Sequence, residues 1–387
     1  MTVKREILLL AICSAVVTAN AYYIHPIIRA VADSFAVSES QVGWVPALNQ
    51  GALALGVILL LPLGDRVNNR LLIRTCLLSQ VIALAVMATS PSFWLFTLAS
   101  TVLGFTTVTP YLLPAYVSRR IEVTKLGYAT AMLTAGVIAG VQLSRLLSGL
   151  IGEFTDWRWV YAMAAVLMGI SSLALPKVMV EEKRDASPIG YRALLVSLID
   201  VAQKHPRVIR SGLIQGLNFA MFIAMWLAIS LHLTSHTLGH GYDLVGYLTA
   251  FSAVGLLTTS TLGKWADHRG AEQARLVLAL IQPVGLGLLL LASQDWRWLL
   301  PPIALLSIVG PVIDITGRMT GLREDPRVRT RLMALYVGMM FLGGGLGSWW
   351  GTLAYAMGGW SGIVALLVLL SGGISLLSWH EARGGSS

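Results

Sequence analysis

Twelve runs of about twenty predominantly apolar residues follow one another along this chain, and they constrain its fold before anything else does. They cover approximately 6–28, 41–62, 71–90, 93–117, 127–152, 159–177, 208–232, 244–262, 274–292, 297–318, 331–355 and 360–379. A helix of that length crosses the ~30 Å hydrocarbon layer, and lipid offers no hydrogen-bond partner to a backbone that is not helical. The 387 residues are 56% hydrophobic and 12% charged, whereas soluble domains carry about 25% charge. The expected fold class is an all-α membrane protein with twelve transmembrane helices. The opening MTVKREILLLAICSAVVTANA has the basic start and small-x-small ending of a signal peptide. Its apolar pattern continues through Tyr22, Tyr23 and Ile28, however, so it reads as the first span. Cys13 and Cys76 both lie inside apolar runs and supply neither a disulfide framework nor a zinc site.

The long polar stretch at 178–207 divides the spans six from six. Residues 1–180 are expected to form one six-helix bundle and 208–383 a second, with 181–207 a cytoplasmic linker carrying a candidate amphipathic helix. Lysine and arginine concentrate on one side of the alternating spans, leaving only Arg29, Arg158 and Arg297 on the other. The positive-inside rule then places both termini in the cytoplasm. Trp44, Trp94, Trp157, Trp159, Trp296, Trp298 and Trp360 mark the opposite interface. The net charge of +9 is distributed among inter-span segments, which argues against nucleic-acid binding.

The halves echo each other. Asp65 and Asp267 lie 202 residues apart, each after an even-numbered span, and Trp157 and Trp360 lie 203 apart. Paired bundles of this kind serve alternating access, in which two similar units rock about a central site.

PLGDRVNNR after the second span, with its degenerate copy GKWADHRG after the eighth, resembles the loop signature of the major facilitator superfamily. NAYYIHPII, LPLGDRVNNRLLI and GVQLSRLLSGLIGEFTDWRWVYA resemble, more narrowly, the bacterial twelve-span drug:proton antiporter-like branch. The resemblance implies two pseudo-symmetric six-helix bundles in a bacterial inner membrane, working as a monomer without a cofactor and not as an enzyme. It implies proton-coupled efflux of a small amphiphilic or anionic organic compound. Proton-coupled uptake of a small organic anion is the second reading, and a non-transporting receptor or scaffold the third. It also implies a conformational latch on the cytoplasmic side from Asp65, Arg66, Arg70 and Asp267, with Asp65 approaching the eleventh span near Arg329 to Arg331. Asn68 stands where the family usually has glycine. The fourth span carries no charge and the fifth lacks the usual Gly-Pro pair; both departures weigh against proton antiport.

Arg145 is the sharpest intramembrane feature. About ten strongly apolar residues in its span contribute about −3 to −6 kcal/mol to insertion, against about +2.5 to +3.5 for a central arginine. That margin is too thin for a lipid-facing guanidinium. Gly136, Gly140, Ser144, Ser148 and Gly152 step by four into a close-packing ridge, and Arg145 projects about 100° away from it. The expected pocket combines Arg145 as cation, Tyr22, Gln142, Gln215 and Asn218 as polar contacts, and Phe222 and Trp226 as apolar wall. The alternative is a structural arginine capped by carbonyls, water or His25. His25 and Asp314 are the proton-coupling candidates, Asp314 also being placed to pair with Arg318 four residues on. His232, His236 and His240 are spaced for a metal clamp on a helix, but Gly239 and Gly241 argue against a helix there, and no metal is expected.

Overall fold

The computed structural model describes residues 3–64, 66–179 and 190–384, and among them every regular element is helical. Six crossings come from α1 (Val3–Ala19) with α2 (Ile24–Ser34), a one-turn α3 (Glu39–Val42) leading into α4 (Trp44–Gly64), α5 (Asn69–Thr89), α6 (Phe93–Thr106) with α7 (Thr109–Arg120), α8 (Val123–Phe154) and α9 (Arg158–Val178). An amphipathic helix α10 (Tyr191–Lys204) precedes α11 (Pro206–Leu233), α12 (Tyr242–Ser252) with α13 (Val254–Arg269), α14 (Ala271–Leu289), α15 (Leu300–Leu322) and α16 (Pro326–Gly384).

α16 supplies the last two crossings. Its apolar stretch Val328–Arg383 is 56 residues long, more than twice what one crossing needs. Gly359, at φ 56° and ψ −144°, breaks it, and a side chain could hold that backbone only under strain. The chain folds back there: a Cβ on Gly362 would lie 2.4 Å from the Ala354 carbonyl oxygen.

Two spans break at mid-depth, and the sequence shows why. Pro26 removes the amide that would continue the helix past Tyr22, so residues 20–23 form turns between α1 and α2. Pro110 likewise leaves the Thr106 carbonyl without its helical donor, between α6 and α7. Gln80 of α5 links the two breaks: its Nε2 donates to the freed Thr106 O at 2.7 Å, and its Oε1 accepts from the Asn20 side chain at 3.0 Å, while the Tyr22 carbonyl accepts from the His25 amide at 3.2 Å. Interrupted helices survive inside a membrane where side chains or local turn bonds satisfy the freed groups.

Within each half, backbones meet across small residues at the same kind of joint. The ridge on α8 packs against α1, where a Cβ on Gly136 or Gly140 would come within 2.2 or 2.3 Å of the Ala11 or Ala15 carbonyl. In the second half, Gly343, Gly347 and Gly351 of α16 close on Gly216, Ala220 and Ala224 of α11, with prospective Cβ distances of 2.1, 2.3 and 2.8 Å. Both surfaces step by four, so the internal repeat appears as a repeated joint.

The halves meet along α4 with α16 and along α8 with α12. Gly345 abuts Ala47, Gly149 abuts the Tyr242 carbonyl, and Trp44 lies 5.5 Å from Trp349. On the tryptophan-bearing side the seam is tied by polar bonds. Ser230 Oγ donates to Pro26 O at 2.8 Å and Arg29 to Leu231 O at 3.0 Å, with Arg29 held from its own half by Glu39. On the basic side α10 bridges the seam: the Tyr191 hydroxyl donates to Leu59 O, and Arg331 donates to Ser197 Oγ, each at 2.9 Å.

Gly140→Val should cost about 1–3 kcal/mol by forcing α8 off the α1 backbone, lowering the unfolding temperature in detergent. Gly169→Ala, whose Cβ would meet nothing within 4 Å inside α9, should leave that temperature the same or raise it slightly, since alanine favours the helix over glycine.

Candidate functional site

The break between α1 and α2 brings Tyr22 and His25 beside α8, and the 100° offset from the glycine ridge (about one residue of helix) turns Arg145 toward the second half. Arg145 is fully buried. Its guanidinium carbon lies 5.1 Å from the Tyr22 ring centroid, 4.8 Å from Phe222 and 5.2 Å from Trp226. Tyr22 and Arg145 come from the first half, Phe222 and Trp226 from α11 of the second. A cage around one cation is therefore divided between the two bundles.

None of the three Arg145 nitrogens has a hydrogen-bond partner among the described residues. An unpaired buried charge costs several kcal/mol, and each desolvated ring contact returns about 0.5–2 kcal/mol. Three rings offset much of the charge penalty but satisfy no N–H group. Other polar groups are buried without partners: both ring nitrogens of His25, the indole N–H of Trp226, and both amide atoms of Gln50 on α4. His25 packs edge-on to Tyr22 at 5.5 Å.

The remaining expected contacts are engaged elsewhere. Gln142 Nε2 donates to Ser252 Oγ at 3.0 Å and to Thr249 O at 3.4 Å, tying α8 to α12. Asn218 donates to Gln215 Oε1 and Gly310 O, both at 3.1 Å, and accepts from Gln282 at 2.9 Å. Gln215 and Asn218 thus close a network inside the second half and do not bond Arg145. The sequence places both in the expected pocket; Gln282, on another helix, bonds Asn218, which in turn holds Gln215. Asp314 binds Arg318 Nε at 2.9 Å and accepts from the Tyr336 hydroxyl at 2.9 Å.

Of the latch residues, Asp65 lies outside the described residues. Arg66 and Arg70 are half-buried at the α4–α5 junction, where Asn68 caps α5 by accepting from the Arg70 amide at 2.9 Å. Asp267 is exposed near the end of α13. His232 stacks on Trp360 at 4.5 Å with Nε2 at 3.0 Å from Ser293 O. No cluster of metal-ligating side chains occurs among the described residues.

Two features escaped the sequence reading. Gln50 directly follows Asn49 in an otherwise apolar run; Asn49 donates to Ser100 O, whereas Gln50 is buried with neither amide atom bonded. Arg275, counted there as a loop charge, is 1% exposed and pairs with Glu381 at 2.6 Å while bonding Ser211, Thr316 and Thr320. Its partners come from α11, α15 and the end of α16, so only the tertiary fold assembles them. Arg275→Leu should lower stability by about 3–5 kcal/mol by stranding Glu381, and Arg275→Leu with Glu381→Leu should recover most of that loss. Thermal unfolding of both variants checks the pair.

Comparison with known proteins agrees with this architecture. The family model described as Major Facilitator Superfamily matches residues 10–312. The chain is 27% identical over 365 residues to the putative uncharacterized transporter YgaY of Escherichia coli, covering 92% of this chain and 90% of that one. It is 23% identical over 285 residues to the multidrug resistance protein MdtG of Salmonella arizonae, covering 68% and 69%. Among solved structures, a bacterial homolog of the human lysosomal transporter Spinster, inward-facing and unoccupied, superposes with a TM-score of 0.77 at 15% identity, covering 98% of this chain and 97% of that one. A D-xylose-proton symporter superposes at 0.70 with 17% identity, covering 98% of each. At those identities the structural likeness speaks for the fold.

Proposed function

Because this chain belongs to the major facilitator superfamily, we propose that it is a secondary transporter coupling proton entry to export of small amphiphilic or anionic organic compounds. The observation that carries the reading is the Arg145 cage, to which both bundles contribute. A site split across two units that rock against each other opens whenever they part, toward one face and then the other. Arg145, Tyr22, Phe222 and Trp226 are its substrate contacts. Gln142, Gln215 and Asn218 hold the surrounding helices in place, since their amides are already bonded.

Export is supported by the name of the MdtG relative, a multidrug resistance protein, and proton coupling by the resemblance of NAYYIHPII and LPLGDRVNNRLLI to the drug:proton antiporter-like branch. His25 takes the coupling role ahead of Asp314, because Asp314 is bound by Arg318 and Tyr336 while both His25 nitrogens are unengaged. The lysine and arginine bias supports a basic face, with both termini, on the cytoplasmic side of a bacterial inner membrane. There the chain works as a monomer, with bundles 1–180 and 208–383 joined by 181–207. Asp65, Arg66, Arg70 and Asp267 act at that face as a latch; one such charge–dipole contact is worth up to about 2 kcal/mol, enough to bias two states a few kcal/mol apart.

Purified protein in vesicles that expose the basic face outward tests the reading. With an acidic lumen, a fluorescent amphiphile or organic anion should accumulate inside, and an uncoupler or His25→Gln should abolish the gradient dependence. Accumulation driven by an alkaline lumen would replace export by uptake. Absence of movement in either gradient would remove the transport assignment.

A further inference from the structure

The unpartnered groups around Arg145 are unevenly divided between donors and acceptors. The guanidinium offers five N–H groups and Trp226 one, with no acceptor on either, while a neutral His25 adds one of each. No described carboxylate bonds Arg145, and Asp314, the acid within α15, is committed to Arg318 and Tyr336. What the cage lacks is one negative charge and a pair of acceptors.

The ring contacts do not end at Arg145. Phe222 stacks on Phe219 with centroids 5.9 Å apart and planes within 18°. Phe219 meets Phe341 of α16 edge-on at 5.7 Å, and Phe341 meets Tyr111 of α7 at 5.6 Å. An aromatic surface thus starts at the guanidinium and crosses from the second bundle to the first. Gln50 lies along it: its Oε1 is 3.5 Å from where a Cβ on Gly344 would sit, and the Phe219 ring packs on the same glycine.

We infer that the solute is an aromatic monocarboxylate, its carboxylate held by Arg145 and its ring lodged against Phe222 and Phe219. This rests on the cage being the substrate site. A guanidinium is a planar fork that matches a carboxylate through two parallel hydrogen bonds. One buried cation calls for one anionic charge: a dianion would leave an uncompensated charge in a low-dielectric site, and an amine would add a like charge. The neighbouring rings favour a flat partner that stacks offset or edge-on.

Binding to the full chain in nanodiscs decides this, with benzoate, 4-hydroxybenzoate, phenylacetate and 2-naphthoate each measured against its own primary amide, and with benzylamine and phthalate alongside. At least one monocarboxylate should bind about tenfold or more tightly than its amide, and benzylamine and phthalate should be weaker still. Arg145→Gln should erase the carboxylate preference. Phe219→Ala should weaken every aromatic ligand while leaving the acid-to-amide ratio intact, a result independent of how well the Arg145 variant folds. Amides or benzylamine binding as tightly as the acids, no acid binding at all, or a preference that survives Arg145→Gln would overturn the inference. Flux is scored separately: a carboxylate that binds but never crosses leaves the ligand class standing and removes the transport reading. Arg145-independent movement of benzylamine does the reverse.

Discussion

Hydrocarbon supplies a peptide backbone with no hydrogen-bond partner, and the arrangement of this protein follows from how that demand is met. Continuous helices meet it internally. Where Pro26 and Pro110 interrupt two of them, a turn bond from the His25 amide serves the Tyr22 carbonyl and the Gln80 side chain serves that of Thr106 while holding Asn20. The same breaks free the chain around residues 20–23 to carry Tyr22 and His25 against α8. The element that costs the backbone its regularity therefore also furnishes one wall of the cage.

Close approach of backbones does the rest. Glycines spaced by four on α8 and α16 let those helices sit directly on α1 and α11. A long side chain beside that joint has no room at it and must lie to one side. Arg145 is placed by this geometry: one residue beyond Ser144 of the ridge, it has no room among α1 atoms and reaches instead for the rings of α11.

Burial then gives the guanidinium its character. Surrounded by Tyr22, Phe222 and Trp226, it has attraction without hydrogen bonds, a state tolerable in a closed molecule and improved by an anionic guest. Arg275 shows the opposite solution, since a carboxylate and three hydroxyls surround it. Two buried arginines in one chain thus separate a structural ion pair from a site with unmet demand.

Apolar length, basic asymmetry and the four-residue spacing of glycines are local properties, so the amino-acid sequence alone determined the class of fold, the number of crossings, their division into similar halves and the exceptional status of Arg145. It also marked Tyr22, Phe222 and Trp226, because each shares a helix face with polar or aromatic neighbours. What it could not distinguish was a polar side chain facing the seam from one facing its own bundle. Gln215 and Asn218 share the helix face of Phe222, yet Gln282, 64 residues beyond Asn218, bonds Asn218, which holds Gln215. Arg275 looked like a loop charge until Glu381, 106 residues away, closed on it. Those choices depend on which helices become neighbours and at what depth, and only the packing of all the helices together settles that.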